Sequence, residues 1–226
     1  MGRVVLVSDV QTPLGEELAR AYLAAGASVA VTRSNLKARE APMVSESEGF
    51  LLVDWNRRSP ISSRNVLLSV ANRFGRIDEA VLLQDPAVEA RLLPDTSYES
   101  IERAADAWLK GPLFLLKGLL EAFARDGGGR VALVDYAPRQ ATAGRPPLEA
   151  ALRAAFRALA SSLLETGGPK GVQVHCFESV ETLARDFAGF IVESMTARGD
   201  KPSGKWLRFQ PRSVGLLAPL RGLKGS

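Results

Sequence analysis

The sequence is poor in the residues that build disulfides and histidine metal sites. Among its 226 residues, Cys176 is the only cysteine and His175 the only histidine. A single cysteine excludes an internal disulfide and is typical of a reducing compartment. A single histidine argues against the common histidine-based metal centres, so we expect no metal. The two residues are adjacent in a predicted strand, so their side chains should point to opposite faces of the sheet and form no nucleophile–base pair.

The chain also lacks a long uninterrupted apolar run. Its most apolar stretch, residues 113–123, is interrupted by Lys117 and Glu121 and does not have the pattern of a membrane span. Met1 and Gly2 lead directly into a predicted strand, without the basic and apolar regions of a signal peptide. We therefore expect a cytoplasmic protein that is not associated with a membrane.

Charge is present but unevenly distributed. The net charge is +4, yet residues 196–226 hold seven basic residues against one acidic residue, a local charge of +6. Such a segment can meet an acidic partner, a phosphorylated ligand or nucleic acid, or it is simply a solvated basic end. We do not expect nucleic-acid binding, because no recognition helix or aromatic pattern accompanies the charge.

The opening stretch has the pattern of a strand, a tight turn, a helix and a second strand. Val4–Val7 is a short apolar run typical of a buried parallel strand. Leu14, Leu18 and Tyr22 lie on one helical face, which ends at Gly26. Residues 28–32 are predicted as the second strand. This order, within about 30 residues, is that of a dinucleotide-binding unit.

The rest of the chain continues the alternation. A helical turn is predicted at 35–40. Further strands are predicted at 49–53, 79–83, 130–134, 171–177 and 205–209, and helices at 61–74, 98–124, 148–165 and 180–197. Strands that alternate with helices imply right-handed β-α-β units. We therefore predict one doubly wound, Rossmann-type α/β domain over residues 1–211, with a mostly parallel seven-stranded sheet.

Several segments, in the right order and spacing, resemble the short-chain dehydrogenase/reductase family. The first turn, residues 8–15, lies where that family has Thr-Gly-x-x-x-Gly-x-Gly. The other segments are FGRID at 74–78, WLKGP at 108–112, GGGRVALV at 127–134, PKGVQV at 169–174 and PSGKWLRF at 202–209. The resemblance covers nearly the whole chain. It implies a nicotinamide-dependent oxidoreductase that assembles into dimers or tetramers.

The first turn departs from the family pattern, in which glycines let the backbone approach the cofactor pyrophosphate. Only Gly15 is kept. Asp9 places a carboxylate where the phosphates would lie, and Pro13 removes an N–H group there. We therefore expect no cofactor. NADP is the best candidate if one binds, with Arg33 at the 2′-phosphate and Asp54 near the adenine, although both could equally be surface charges.

The four catalytic positions of the family are also changed. Counting from the matched segments places its tyrosine, lysine, serine and asparagine at Glu149, Arg153, Tyr136 and Trp108. A carboxylate is a poor proton donor at pH 7 unless burial raises its pKa. We interpret Glu149 and Arg153 as an ion pair on the helix surface. Tyr136 is expected to pack over a filled cleft rather than supply a phenol, and Trp108 to fill a cavity.

We therefore hypothesise a non-catalytic family member, acting as a structural or regulatory subunit paired with itself or with an active relative. The alternatives are an NADP-dependent oxidoreductase with an atypical site and a nucleotide-sensing regulator. The apolar and basic tail, residues 212–226, is expected to pack on a partner subunit or, alternatively, on its own sheet. The helix at 148–165 is expected to bury one stripe in the core, namely Leu148, Leu152, Ala155, Leu159 and Leu163. A second face of this helix is expected to admit another helix, namely Ala150, Ala154, Arg157, Ala158 and Ser161.

Overall fold

Seven parallel strands form one sheet in the order β3-β2-β1-β4-β5-β6-β7. The computed structural model describes residues 2–34, 48–86, 91–138, 144–197 and 204–211. The strands are β1 Val4–Val7, β2 Ser28–Ser34, β3 Phe50–Trp55, β4 Glu79–Gln84, β5 Gly129–Tyr136, β6 Val172–Ser179 and β7 Trp206–Arg208. The predicted doubly wound fold is confirmed, and every described strand is parallel to its neighbours. The helical turn at 35–40 and the tail 212–226 lie outside the described residues.

Within the described residues, six α-helices connect the strands, and local sequence sets where several of them begin and end. The helices are α1 Pro13–Ala24, α2 Pro60–Phe74, α3 Tyr98–Ala105, α4 Gly111–Arg125, α5 Pro147–Thr166 and α6 Ala184–Thr196. The side chains of Thr12 and Ser59 cap the N-termini of α1 and α2, and proline follows each cap at the first helical position. Gly75 ends α2 in the left-handed conformation, which glycine adopts without strain.

Helices cover both faces of the sheet, so its strands are apolar on both sides. One core cluster lies under α1 and α6, where Leu14, Leu18 and Phe187 are fully buried. The other lies under α2, α4 and α5 and contains Val66 and Leu115. In the part of the chain that the structure describes, no helix is long and apolar enough to cross a membrane.

The long helix predicted at 98–124 is interrupted by one turn of a different type. Residues Asp106–Lys110 form a π-helical turn between α3 and α4. Such turns are rare and often occur at functional sites. Trp108, at the family's asparagine position, lies in this turn, so the helix changes geometry where the sequence comparison places a catalytic residue.

The predicted core stripe of α5 is partly wrong. The fully packed side chains are those of Leu152, Phe156 and Ala160, whereas Leu159 and Leu163 are only partly buried and line a surface groove beside α4. The buried face is rotated because Arg153 also turns inward. On the second face of α5, the three alanines are exposed, but Trp206 of β7 covers the other two residues. The Trp206 indole donates to Ser161 and stacks on Arg157.

Candidate functional site

The turn between β1 and α1 keeps a glycine-like backbone although a glycine is missing. Asp9 has a φ of +62°, the left-handed conformation that aspartate tolerates better than most residues. Gly15 lies against this turn so closely that a Cβ atom there would be 2.1 Å from the Asp9 carbonyl oxygen. The sequence of the phosphate turn has therefore changed while its path is retained.

Polar groups of this turn form hydrogen bonds with other groups of the protein. The Thr12 hydroxyl accepts a hydrogen bond from the Gly15 N–H at 3.0 Å, at the helix end where the family binds phosphate. The Thr32 hydroxyl accepts from the Asp9 N–H at 2.9 Å. Gln11 accepts from the Ser34 N–H. These bonds leave the turn with fewer free donors for an anion.

The Asp9 carboxylate is paired with an arginine that the sequence analysis did not single out. Arg57, just beyond β3, donates from Nη2 to Asp9 Oδ2 at 2.9 Å, and its side chain is only 1% exposed. Its guanidinium carbon lies 4.5 Å from the ring centroid of Trp55 and 4.1 Å from that of Trp108. Trp108 is therefore buried and stacks on a cation.

These residues do not fit the pyrophosphate of a dinucleotide. The buried Asp9 carboxylate would repel it, and the Arg57 guanidinium beside it is committed to Asp9. Burial lowers the pKa of Arg57 and the Asp9 carboxylate opposes this, so Arg57 stays protonated as arginine does in proteins.

The two residues proposed for NADP recognition, Arg33 and Asp54, lie opposite each other on β2 and β3. The Arg33 guanidinium donates to Asp54 Oδ1 from Nε at 2.9 Å and from Nη2 at 2.7 Å, and the two side chains are 36% and 56% exposed. They neutralise one another at the surface. Their role toward a nucleotide stays a prediction.

Arg153, at the family's lysine position, is enclosed by acceptors. Its side chain is 6% exposed. It donates to the carboxylates of Glu149 and Asp135, each at 2.7 Å, and to Asp85 at 3.1 Å. It also donates to the carbonyl oxygens of Gln84 and Tyr136. Burial alone would lower the pKa of Arg153, but the hydrogen bonds to Glu149 and Asp135 outweigh it and raise the pKa.

The interpretation of Glu149 and Arg153 as a surface ion pair is therefore half wrong. The pair exists, but it faces inward, because Asp85 and Asp135 at the ends of β4 and β5 draw the guanidinium toward the sheet. Burial in turn raises the pKa of Asp85, against the opposing effect of Arg153.

The same network continues along the edge of the sheet. Arg157 bridges Asp135 at 3.1 Å and Glu178 at 2.6 Å, and Arg208 donates to Glu178 at 2.8 Å. With Arg145 beside Glu149, the connected set comprises four arginines and four carboxylates, namely Arg145, Arg153, Arg157, Arg208, Asp85, Asp135, Glu149 and Glu178. Its formal charge is zero, so the edge offers no net charge to a cofactor.

Tyr136, at the family's serine position, turns to the opposite face of the sheet. Its ring stacks on Phe187 with centroids 5.9 Å apart, in the cluster under α1 and α6. Burial and the nearby Asp85 charge raise its pKa. A phenol used as a general base needs a lowered pKa instead. The structure thus separates the Tyr136 phenol from the Glu149 and Arg153 side chains, although Arg153 still binds the Tyr136 carbonyl oxygen.

The thiol of Cys176 is buried and is not activated as a nucleophile. Cys176 is buried beneath α5 and burial raises its pKa to about 12. His175 lies on the other face of β6, stacked on Phe177. Among the described residues, no group of three or more His, Cys, Asp or Glu side chains is arranged to hold a metal ion.

One signal could have revealed this network from the sequence. Acidic residues end or follow strands at Asp9, Asp54, Asp85, Asp135 and Glu178. Because the carboxyl ends of parallel strands share one edge, these acids had to lie side by side and needed cations nearby. Arg57 and Arg157 supply two of those cations.

Comparisons with known proteins agree with the fold. A family described as Enoyl-(Acyl carrier protein) reductase matches residues 10–195. An uncharacterised protein of Treponema pallidum is 28% identical over 134 residues, which are 59% of this chain and 58% of that relative. The chain therefore spans less than two thirds of that relative's length.

Solved structures are similar over most of the chain. A short-chain dehydrogenase of Leptospira borgpetersenii with bound NAD⁺ has a TM-score of 0.77 and 16% identity, covering 92% of this chain and 91% of that one. A short-chain dehydrogenase of Burkholderia cenocepacia in complex with NADP has a TM-score of 0.76 and 19% identity, covering 92% and 96%. A 3-ketoacyl-(acyl-carrier-protein) reductase of Brucella melitensis complexed with NADH has a TM-score of 0.75 and 16% identity, with the same coverage as the Burkholderia structure. At these identities the likeness establishes the fold.

Proposed function

Since this chain belongs to the short-chain dehydrogenase/reductase family, we propose that it is a non-catalytic member that serves as a structural or regulatory subunit. Its partner is a second copy or a catalytically active relative. The observation that carries the proposal is the enclosure of Arg153, whose guanidinium bonds Asp85, Asp135, Glu149 and two carbonyl oxygens.

The positions that would perform hydride-transfer chemistry lack its proton-transfer groups. Glu149 is ion-paired to Arg153 at 2.7 Å, so its carboxyl oxygen is committed to the guanidinium. The Tyr136 phenol packs on the far face of the sheet with a raised pKa. The Trp108 indole stacks on Arg57. Each position therefore has a structural role that is incompatible with acid–base catalysis.

The surface beside α4 and α5 supports the subunit role. An apolar groove of about 390 Å³ runs between these helices and is lined mainly by Leu113, Leu116, Leu120, Leu159 and Leu163. Leu113 is 39% exposed, and exposed apolar grooves of this kind are typical of association surfaces.

The charges at the rim of this groove also suit a symmetric partner. Lys117 and Glu121 form an exposed pair one helical turn apart on α4. A twofold axis across antiparallel copies of α4 would let each lysine meet the partner's glutamate, which makes the surface self-complementary.

Three measurements test the proposal together. Sedimentation of the full chain, alone and mixed with each active relative from the same genome, reports association. Calorimetric titration with NAD and NADP reports nucleotide binding, and a carbonyl panel with NADPH reports turnover. Association without binding or turnover supports the proposal. NADP binding with turnover would favour the atypical oxidoreductase, and binding without turnover the nucleotide-sensing regulator. A chain that is monomeric in every mixture would refute it.

A further inference from the structure

Arg57 joins two parts of the fold that meet at the former cofactor cleft. Its side chain binds Asp9 in the β1–α1 turn at 2.9 Å and stacks on Trp108 in the π-helical turn. The ring of Trp55, at the end of β3, also lies against the guanidinium. The arginine therefore contacts one anion and two indoles.

The Arg57 backbone also contacts the long helix. Gly111, the first residue of α4, lies so close that a Cβ atom there would be 2.7 Å from the Arg57 carbonyl oxygen and 2.9 Å from its Cβ. Side chain and backbone of one residue thus contact the helix at Trp108 and at Gly111, on either side of the point where the π-helical turn becomes α4.

The environment of Arg57 costs stability. Within the described residues, Nε and Nη1 of its guanidinium are buried without a hydrogen-bond acceptor. Buried donors without partners are unfavourable, and a buried ion pair often contributes no net stability compared with apolar residues. A gain in stability therefore does not account for the Asp9–Arg57 pair. Its position suggests another role, because it connects the β1–α1 turn with the start of α4.

We propose that the Asp9–Arg57 pair is a conformational device that fixes the start of α4 in the absence of a bound nucleotide. From Gly111 the helix runs directly to Leu113, Leu116 and Lys117 in the groove. Fixing its first turn keeps the groove in one shape ready for association. The consequence for association rests on the proposed subunit function. The effect of the pair on the start of α4 does not depend on that function.

Hydrogen exchange tests the local effect. The Asp9→Asn variant removes the charge and keeps the shape, so the pair is weakened with little change in packing. We expect backbone amides of residues 106–113 to exchange at least tenfold faster than in the wild type, and association to weaken by a similar factor. Asp54→Asn, which breaks the exposed pair with Arg33 at the same edge of the sheet, is the matched control and should change neither.

Two further variants keep the test decisive. Asp9→Gly suits the left-handed backbone at this position and removes the carboxylate entirely, and Arg57→Met keeps an apolar chain between the indoles. Wild-type exchange at 106–113 in both Asp9 variants would overturn the inference, whatever Arg57→Met does. If the wild type is monomeric, the subunit proposal fails, while the exchange rates still decide whether the pair fixes the helix.

Discussion

The Arg153 guanidinium lies 2.7 Å from the Asp135 carboxylate, in a place where the two side chains are only 6% and 7% exposed. A lysine four residues after a tyrosine would be a catalytic pair in the family that the chain resembles. Here the corresponding cation faces the end of β5 and binds the sheet to α5. The Arg153 position of this chain therefore makes a structural contact between α5 and the sheet.

Removing this cation should be costly. Arg153→Met leaves Asp135, Asp85 and Glu149 without their shared partner, so we expect the free energy of unfolding to fall by about 3–5 kcal/mol. Urea denaturation at pH 7 measures it. Arg125→Gln, at a side chain that is 72% exposed and paired with Asp126 on the surface, should leave the free energy of unfolding almost unchanged. A loss from Arg153→Met as small as that of the control would contradict the prediction.

The chain should bind neither NAD nor NADP with micromolar affinity, because Asp9 and Pro13 occupy the phosphate turn. Titration calorimetry at moderate salt is the measurement. If residual binding exists through Arg33 and Asp54, NADP should be the tighter of two weak ligands. Asp9→Gly alone should not restore binding, since Pro13 remains and Arg57 loses its counterion. Micromolar binding by the wild type would disprove this.

Reverting one catalytic position should not create an enzyme. Glu149→Tyr introduces a phenol but no lysine, serine or asparagine partner, and groups that act as a unit are strongly non-additive. We expect no NADPH oxidation above background with a panel of carbonyl substrates, followed by absorbance. Turnover by the unmodified chain would refute the non-catalytic assignment, and turnover by Glu149→Tyr would refute the non-additivity argument.

Two carboxylates, those of Glu178 and Asp85, should make the free energy of unfolding depend on pH in opposite directions. Burial alone would raise the pKa of Glu178, but hydrogen bonds from Arg157 and Arg208 outweigh it and lower the pKa. Its contribution is therefore present above the unfolded-state pKa and lost as pH falls through the folded-state pKa. Glu178→Gln should be less stable than the wild type at pH 7, and the difference should shrink in acid.

Asp85 provides the contrasting case. Burial raises its pKa despite Arg153, so its ionisation weakens folding as pH rises from the unfolded-state to the folded-state pKa. The stability of Asp85→Asn relative to the wild type should therefore increase over that interval. Denaturation curves recorded across the acid range measure both variants. Parallel slopes for Glu178→Gln and Asp85→Asn would show that the assigned directions are wrong.

A charge placed in the groove should disrupt association. Leu113→Glu puts a carboxylate among the leucines of α4 and α5, so we expect the dissociation constant to rise at least tenfold in sedimentation equilibrium. Leu68→Glu, at a similarly exposed leucine on α2 outside the groove, is the control. Equal effects of the two substitutions would exclude the groove as the contact surface.

The sequence predicts the fold well because burial imposes a regular spacing on the apolar residues of each strand and helix. Short apolar runs predicted the strands to within a few residues. β1 matches its prediction, Asp135 and Tyr136 prolong β5 beyond the predicted 130–134, and β7 is shorter than the predicted 205–209. The period failed on α5, because Arg153 is buried by its ion pairs and shifts the packed face toward Phe156. The pattern of apolar residues alone does not predict a buried arginine.

The site was predictable as positions but not as contacts. The resemblance to the family, with counting from its matched segments, assigned residues 108, 136, 149 and 153 to the family's catalytic positions. It did not show that Asp135 rather than Tyr136 faces α5, nor that Arg57 reaches Asp9, which is distant in sequence. Such contacts depend on the face of a strand that a side chain takes and on which side chains meet at one edge of the sheet, and spacing along the chain predicts neither.

The buried charges along the sheet edge affect how the stability of the protein changes with temperature. The hydration of a charged group becomes less favourable as temperature rises, so holding Arg153 and Asp135 away from water costs less in a warm solution than in a cold one. Their mutual attraction is largely retained. Compared with a variant whose edge is apolar, the natural chain should lose less of its stability between room temperature and the onset of thermal unfolding.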